Sequence, residues 1–439
     1  MKQFFSSTTI AKSLSLCLTL AFFCVPFASS IREYLIGTTL FLMTFISWNL
    51  FSSDSKSYSL LRQLKLHPTL YYSLLGFCLS SLISYMLVIT SDTFDKHKSA
   101  ASLQYSIYIL MLFYAFALSK FSLNNHTSHS RLFNAYRNGC LILIILLLSF
   151  YHLGMGGNPE HWGIRPPFGS HARVMGMAAS VATLSSLVFL IMDSTQRKTL
   201  QKTIDWLGLI ACSSFLIWTG SRTSMAVTYF LSFSLLAIGL VLHKLSSGKA
   251  LLLGIVLILA IPATQSFPVL SWTGINRAIN VSSPSHLQTP SINIEDKITS
   301  GRMTMWKKAI SAIQAKPWFG YGPNGYFFCG MRYKNFFHPH NFILQFLIEW
   351  GLVGSLFLLT FLGHLVLLGL KNLPKALSNG DIDYVLAGTA VITLILTSLT
   401  DGIFFIHPSL FCIATAFAIF PLLDTNTKKK LQLLSRQPA

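Results

Sequence analysis

An all-α, polytopic membrane fold is what this chain predicts, on three observations. Hydrophobic residues make up 52% and charged residues 11% of it, where soluble proteins carry about 25% charged residues. The apolar residues come in unbroken runs near the ~20 residues a helix needs to cross a bilayer. Lys and Arg fall between those runs and alternate in density from gap to gap, as an excess of positive charge in cytoplasmic loops requires. Length alone, 439 residues, suggests two or three soluble domains; composition overrules it.

Taken in order, spanning segments run over 13–30, 34–52, 69–91, 103–121, 138–155, 173–192, 205–220, 223–243, 249–266, 342–370, 384–404 and 407–424. That makes about twelve, with both termini on one side. Lys2 and Lys12 ahead of Leu14 to Phe27, with Ala28-Ser29-Ser30 behind, also fit a signal peptide. The segment is read as a first span, and its removal leaves the downstream orientation unchanged. Nineteen basic residues lie in the termini and loops of one side, and six (Arg32, Lys96, Lys98, Arg165, Arg173, Arg222) in the short loops of the other. The remaining eight sit in 267–340, a loop too long to count in this rule. The termini are therefore expected in the cytoplasm.

Four regions follow: spans one to nine over 1–266, a large outer loop over 267–341, spans ten to twelve over 342–424, and a basic tail over 425–439. Within the loop, Gly301 to Lys316 reads as an amphipathic helix. Met303, Trp306, Ile310 and Ile313 form its apolar stripe, and Pro317 stops it. Gly320, Gly322, Pro323 and Gly325 then force an irregular backbone.

Charge and cysteine bound the partners. The formal charge is +19, but the basic residues are dispersed between spans and form no continuous patch for nucleic acid. Anionic lipid headgroups and phosphate-bearing substrates are the better counter-charges. Of seven cysteines only Cys329 lies in a hydrophilic loop, and no CxxC or Cys/His zinc spacing occurs. Asp381-Ile382-Asp383 is a DxD on the cytoplasmic side, away from the other polar groups. No metal or cofactor is expected.

The outer face carries the chemistry. His338-Pro339-His340-Asn341 ends the long loop and runs straight into the apolar segment from Phe342, with Gly351 and Gly354 three apart. An imidazole at a helix start meets the positive end of the macrodipole, which favours the neutral ring a general base needs. An interfacial histidine that only solvates a helix end fits the same residues. Arg222 occupies a tight turn between two spans, and Arg302 opens the amphipathic helix. Guanidinium forks match phosphate oxygens and stay charged, though interfacial arginines also contact lipid phosphates. Asp401, at the outer end of the eleventh span, is one of only fourteen acidic residues. It suits orienting His340 or pairing with an arginine, and equally a helix end facing water. Glu349, two turns into its span, suits a buried structural contact.

Together these residues resemble the O-antigen ligase family of bacterial membrane glycosyltransferases. The likeness lies in His340-Asn341 followed after nine residues by Gly351-Leu352-Val353-Gly354, in Gly301-Arg302 with Trp306, in Trp318-Phe319-Gly320-Tyr321-Gly322, and in Gly220-Ser221-Arg222-Thr223. It covers mainly 215–405. The resemblance implies a GT-C-like enzyme of the bacterial inner membrane, active on its periplasmic face. An undecaprenyl-diphosphate-linked glycan would be the donor and a sugar hydroxyl of lipid A–core the acceptor. It further implies His340 as catalytic base, Arg222 and Arg302 as diphosphate ligands, and Asp401, Asn341 and His338 in support. Polysaccharide polymerases and protein O-oligosaccharyltransferases share this chemistry and differ in acceptor. Arg165 and Gly176 fit an arginine–glycine spacing associated with polymerases. A lipid-linked-glycan transporter fits less well, since transporters gather charge near the midplane of paired halves.

Overall fold

The computed structural model describes residues 7–27, 67–91, 95–125, 130–154, 172–192, 198–265, 302–330, 338–400, 402 and 413–415. The helices among them are α1 (Ser7–Cys24), α2 (Pro68–Ile89), α3 (Asp95–Asn125), α4 (Ser130–His152), α5 (Ala172–Ile191) and α6 (Thr199–Trp218). Then come α7 (Arg222–Val241), α8 (Ser247–Gln265), α9 (Arg302–Ala315), α10 (Gly325–Phe328), α11 (Phe342–Asn379) and α12 (Ile382–Ser398). Among the described residues α2, α4, α5, α7 and α11 are long and apolar enough to cross a membrane, and shorter apolar helices lie in α1, α8 and α12. The expected span at 34–52, most of that at 407–424, loop residues 267–301 and the tail lie outside the described residues.

The bundle is built around α5. Its membrane-crossing stretch is wholly buried, with α4, α6, α7 and α12 packed about it. Small residues make this possible: Gly176, Ala178, Ala179, Ser180, Ala182, Ser185 and Ser186 let four neighbours approach. The serines are no liability there. Ser180, Ser185 and Ser186 donate their hydroxyls to the carbonyls of Gly176, Val181 and Ala182, at 2.8, 2.7 and 3.0 Å. The same logic seats α1 on α4, where a methyl at Gly139 would fall 1.9 Å from the Phe23 carbonyl.

A second group packs α2, α3, α9 and α10 with α11. The sequence reads Phe342 to Leu370 as one continuous segment; the helix runs on to Asn379 and is broken inside, at Gly351 (φ 63°, ψ −169°). A break at membrane depth strands carbonyls and amides that hydrocarbon cannot satisfy. The 317–322 turn takes them over. Tyr321 and Gly322 donate to the carbonyls of Ile348 and Glu349 at 2.7 and 2.8 Å, and Leu352 and Val353 donate to those of Pro317 and Trp318 at 2.7 and 3.2 Å. Ser84 of α2 adds its hydroxyl to the carbonyls of Phe319 and Glu349, at 2.6 and 2.9 Å. The backbones come so close that a methyl on Gly351 would lie 2.2 Å from the Trp318 carbonyl oxygen, and one on Gly320 2.4 Å from that of Ile348. Both glycines also take a positive φ. Two motifs far apart in the chain thus form one clasp.

The expected amphipathic helix is α9, and its packed face is shifted from the expected stripe, of which Ile313 still packs on it. Met305, Ala309 and Ala312 are the buried positions, while Ile310 is 47% exposed. Alanines one turn apart let α9 lie close on α11, which the bulkier stripe would prevent.

Candidate active site

Four helix starts converge at one end of the bundle. His338, Pro339 and His340 lead into α11, whose N-cap Asn341 accepts the Leu344 amide at 3.0 Å through Oδ1. The other half of that side chain, Nδ2, donates to the Leu399 carbonyl at 3.1 Å, tying the end of α12 to the start of α11. Thr400 then meets Thr223 of α7, hydroxyl to hydroxyl. From α9, the Trp306 indole donates to the Pro339 carbonyl at 3.0 Å. From α5, Arg173 reaches His340 itself.

His340 is 5% exposed. It precedes the N-cap rather than sitting in the first turn, and its backbone is left-handed (φ 52°), a conformation rare for a residue with a side chain and held here by the contacts around it. Nη1 of Arg173 lies 2.8 Å from its Nδ1 and 3.1 Å from its Nε2. The His338 ring stands edge-on at 4.1 Å, and its Nδ1 accepts the His340 amide at 3.3 Å. A methyl on Gly402 would overlap the His338 ring, which explains a glycine after Asp401. Asp401 itself lies outside the described residues.

The two arginines singled out in the sequence are each placed one step from this cluster. Arg222 is the exposed first residue of α7, beside Thr223. The turn before it is pinned by Ser221, whose hydroxyl donates to Ser224 at 2.8 Å. Arg302 is the first residue of α9, one helical turn from Trp306 on the same face. The residue that touches the imidazole directly is Arg173, which enters the sequence reading only as one of six outer charges. Its signal was available: like Arg222 and Arg302 it stands in the first turn of a helix, where the macrodipole disfavours a cation unless an anion is also there.

Residues 207–359 match the family model described as O-antigen ligase. No curated protein matches the chain. The matched segment contains Gly220–Thr223, Arg302, Trp306, the 318–322 turn, His340 and Gly351, so both backbone halves of the clasp and three of the four converging helix starts lie inside it. Arg173 falls outside it. Glycosyltransferase-like enzymes embedded in a membrane make up this family, and a lipid-linked glycan is the substrate class it implies.

Beyond the clasp, Glu349 is buried and receives Gln345 Nε2 at 3.3 Å and the Asn324 amide. That is the structural contact expected of it. It lies on α11 between the imidazole and the Gly351 break. Beside it an apolar cavity of about 130 Å³ opens between α2, α3 and α11, lined by Phe77, Tyr108, Phe346, Trp350, Phe361 and Leu362 among others.

Proposed function

We propose that the chain crosses the bacterial inner membrane twelve times, termini in the cytoplasm, and acts in the periplasm as an O-antigen ligase. It would transfer a glycan from undecaprenyl diphosphate to a sugar hydroxyl of lipid A–core. The observation that carries this reading is His340: a buried imidazole at the entrance of α11, inside the matched region, ringed by helix starts that bear arginines. In the reaction, His340 takes the proton of the acceptor hydroxyl as its oxygen bonds to the anomeric carbon. The bond from that carbon to the diphosphate oxygen breaks, and undecaprenyl diphosphate leaves with its charge held by Arg222 and Arg302. Guanidinium groups thereby do what a divalent ion does elsewhere. Asn341 and His338 hold the imidazole's segment, and Asp401 follows the strand of chain that Thr400 fixes. The apolar cavity beside α11 begins about 9 Å along the helix from His340, six residues on, and suits a section of the polyprenyl chain.

The test is transfer from purified lipid-linked donor to lipid A–core in detergent. His340→Ala is expected to abolish product while the protein still folds, and wild-type transfer is expected to survive EDTA. Product from His340→Ala would remove the base; strict need for Mg²⁺ or Mn²⁺ would remove the arginine clamp. Loss of Arg222 or Arg302 should slow turnover about 10²–10³-fold, as loss of one oxyanion donor does. Offering a second donor molecule or a pilin-like protein beside lipid A–core separates ligase from polymerase and from protein glycosylation by which acceptor is labelled.

A further inference from the structure

The contact between Arg173 and His340 raises a chemical difficulty that leads further. A neutral imidazole has one acceptor nitrogen; the other carries the proton. Whichever tautomer holds, the guanidinium Nη1 is within hydrogen-bond reach of that acceptor, at 2.8 Å from Nδ1 or 3.1 Å from Nε2. A base must offer this same lone pair to the acceptor hydroxyl. Arg173 and the incoming proton therefore compete for one site, and His340 works as a base only once Arg173 has let go.

What would draw it off lies at the neighbouring helix starts. Arg173, Arg222 and Arg302 each stand in the first turn of a helix, α5, α7 and α9, and all three starts are tied to the 338–341 segment through His340, Thr223–Thr400 and Trp306. The macrodipoles at those starts favour an anion there. A diphosphate bonds a guanidinium far better than an imidazole does, through charge and through paired oxygens. We infer that Arg173 is a third diphosphate ligand, handed from His340 to the donor's diphosphate when the donor binds, so that the base is uncovered only with the donor in place. This rests on the reading of His340 as base. Arg173 on α5 and the His338 ring stand against the imidazole, while Arg222 and Arg302 open the neighbouring helices α7 and α9.

Two measurements test it on the full-length protein. In the first, Arg173→Gln is titrated with inorganic pyrophosphate as a competitive inhibitor of transfer. The loss of a charge-assisted contact should weaken inhibition at least about tenfold; unchanged inhibition by a folded variant overturns the proposal. The second needs no turnover. Diethylpyrocarbonate acylates the unprotonated nitrogen of histidine, and the site is read by mass spectrometry with buried His97 as an internal control. Arg173→Gln should speed acylation of His340 about tenfold and leave His97 unchanged; equal rates at His340, or equal rises at both, count against it. Should Arg173→Gln fail to fold, Arg173→Lys keeps the charge but loses the fork and is read the same way. If His340→Ala still transfers glycan, the base reading itself has failed. If it does not, and pyrophosphate binds Arg173→Gln as it binds wild type, only the handover is lost.

Discussion

Two arginines at opposite ends of the bundle keep contrasting company. At the end where α4 and α6 begin, Arg137 donates through Nη1 to Asp205, and the pair is 3% and 1% exposed. Its Nε and Nη2 reach Asn138 Oδ1 at 3.2 and 3.1 Å, and its guanidinium lies 5.4 Å from the centre of the Phe189 ring on α5. Charge, hydrogen bonds and aromatic face are all met within the protein. At the other end Nη1 of Arg173 lies against the ring of His340, 2.8 Å from Nδ1. A guanidinium closed on a carboxylate has nothing to gain from a ligand, whereas one resting on an imidazole trades up when a phosphate arrives. Burial alone does not separate a structural arginine from a chemical one; the partner does.

That contrast predicts opposite mutational signatures. Asp205→Ala leaves a buried, uncompensated guanidinium and should cost about 3–5 kcal/mol of stability, read as a fall in thermal midpoint in micelles. Arg173→Gln, at a half-buried site in contact with an imidazole, should cost about 1 kcal/mol or less and act on transfer instead. Equal destabilisation by both would erase the distinction and make Arg173 a second structural clamp. Replacing the closed pair together, Arg137→Met with Asp205→Leu, should recover most of the loss, since apolar residues of similar volume often replace a buried ion pair at no cost.

Next in size comes the clasp that sets the spacing between α9 and α11. Gly351→Ala puts a methyl 2.2 Å from the Trp318 carbonyl oxygen at a positive φ, at a cost of about 2–4 kcal/mol. Because α9 carries Arg302 and α11 follows directly on the His340 segment, the variant should lose transfer more than in proportion to its lost stability. Activity that falls only with the folded fraction would show that the clasp merely patches the helix break.

How much of this was legible beforehand differs between the two ends as well. Apolar runs and basic gaps placed the helices, because hydrocarbon length and loop charge act on local sequence. Gly351 was visible as part of a motif, but not as a break. Its partner turn lies about thirty residues upstream, and only tertiary hydrogen bonds reveal that 317–322 completes α11. Arg173 was hidden for the same reason. Nothing near His171-Ala172-Arg173 points to a histidine 167 positions later, and a central helix of small residues announces burial without naming what its first turn faces. The packed face of α9 is faint in the sequence because alanines carry little hydrophobic signal, yet permit the closest approach.

The smallest effect lies at the start of α3, where His97 docks the turn that closes the clasp. Its ring, 4% exposed, stacks on Phe328 at 4.6 Å and 16°, while Asn324 Nδ2 donates to the Ala100 carbonyl at 3.0 Å. Burial pushes the His97 pKa below its ordinary 6.5, a hydrogen bond with the Pro323 backbone partly offsets this, and Lys316 nearby adds to it. A docked ring that resists protonation binds fewer protons than a free one, so docking is fully supported above about pH 6.5 and weakens as pH falls through that value. Hydrogen exchange of the Tyr321 and Gly322 amides, which bond to α11 across the clasp, should therefore quicken between about pH 7.5 and 5.5 once the intrinsic rate is divided out. His97→Phe keeps the stacked ring and removes the titration, so its exchange should be flat over that range. If the variant loosens with pH as the wild type does, the clasp senses acid elsewhere, and His338 beside His340 is the next ring to test.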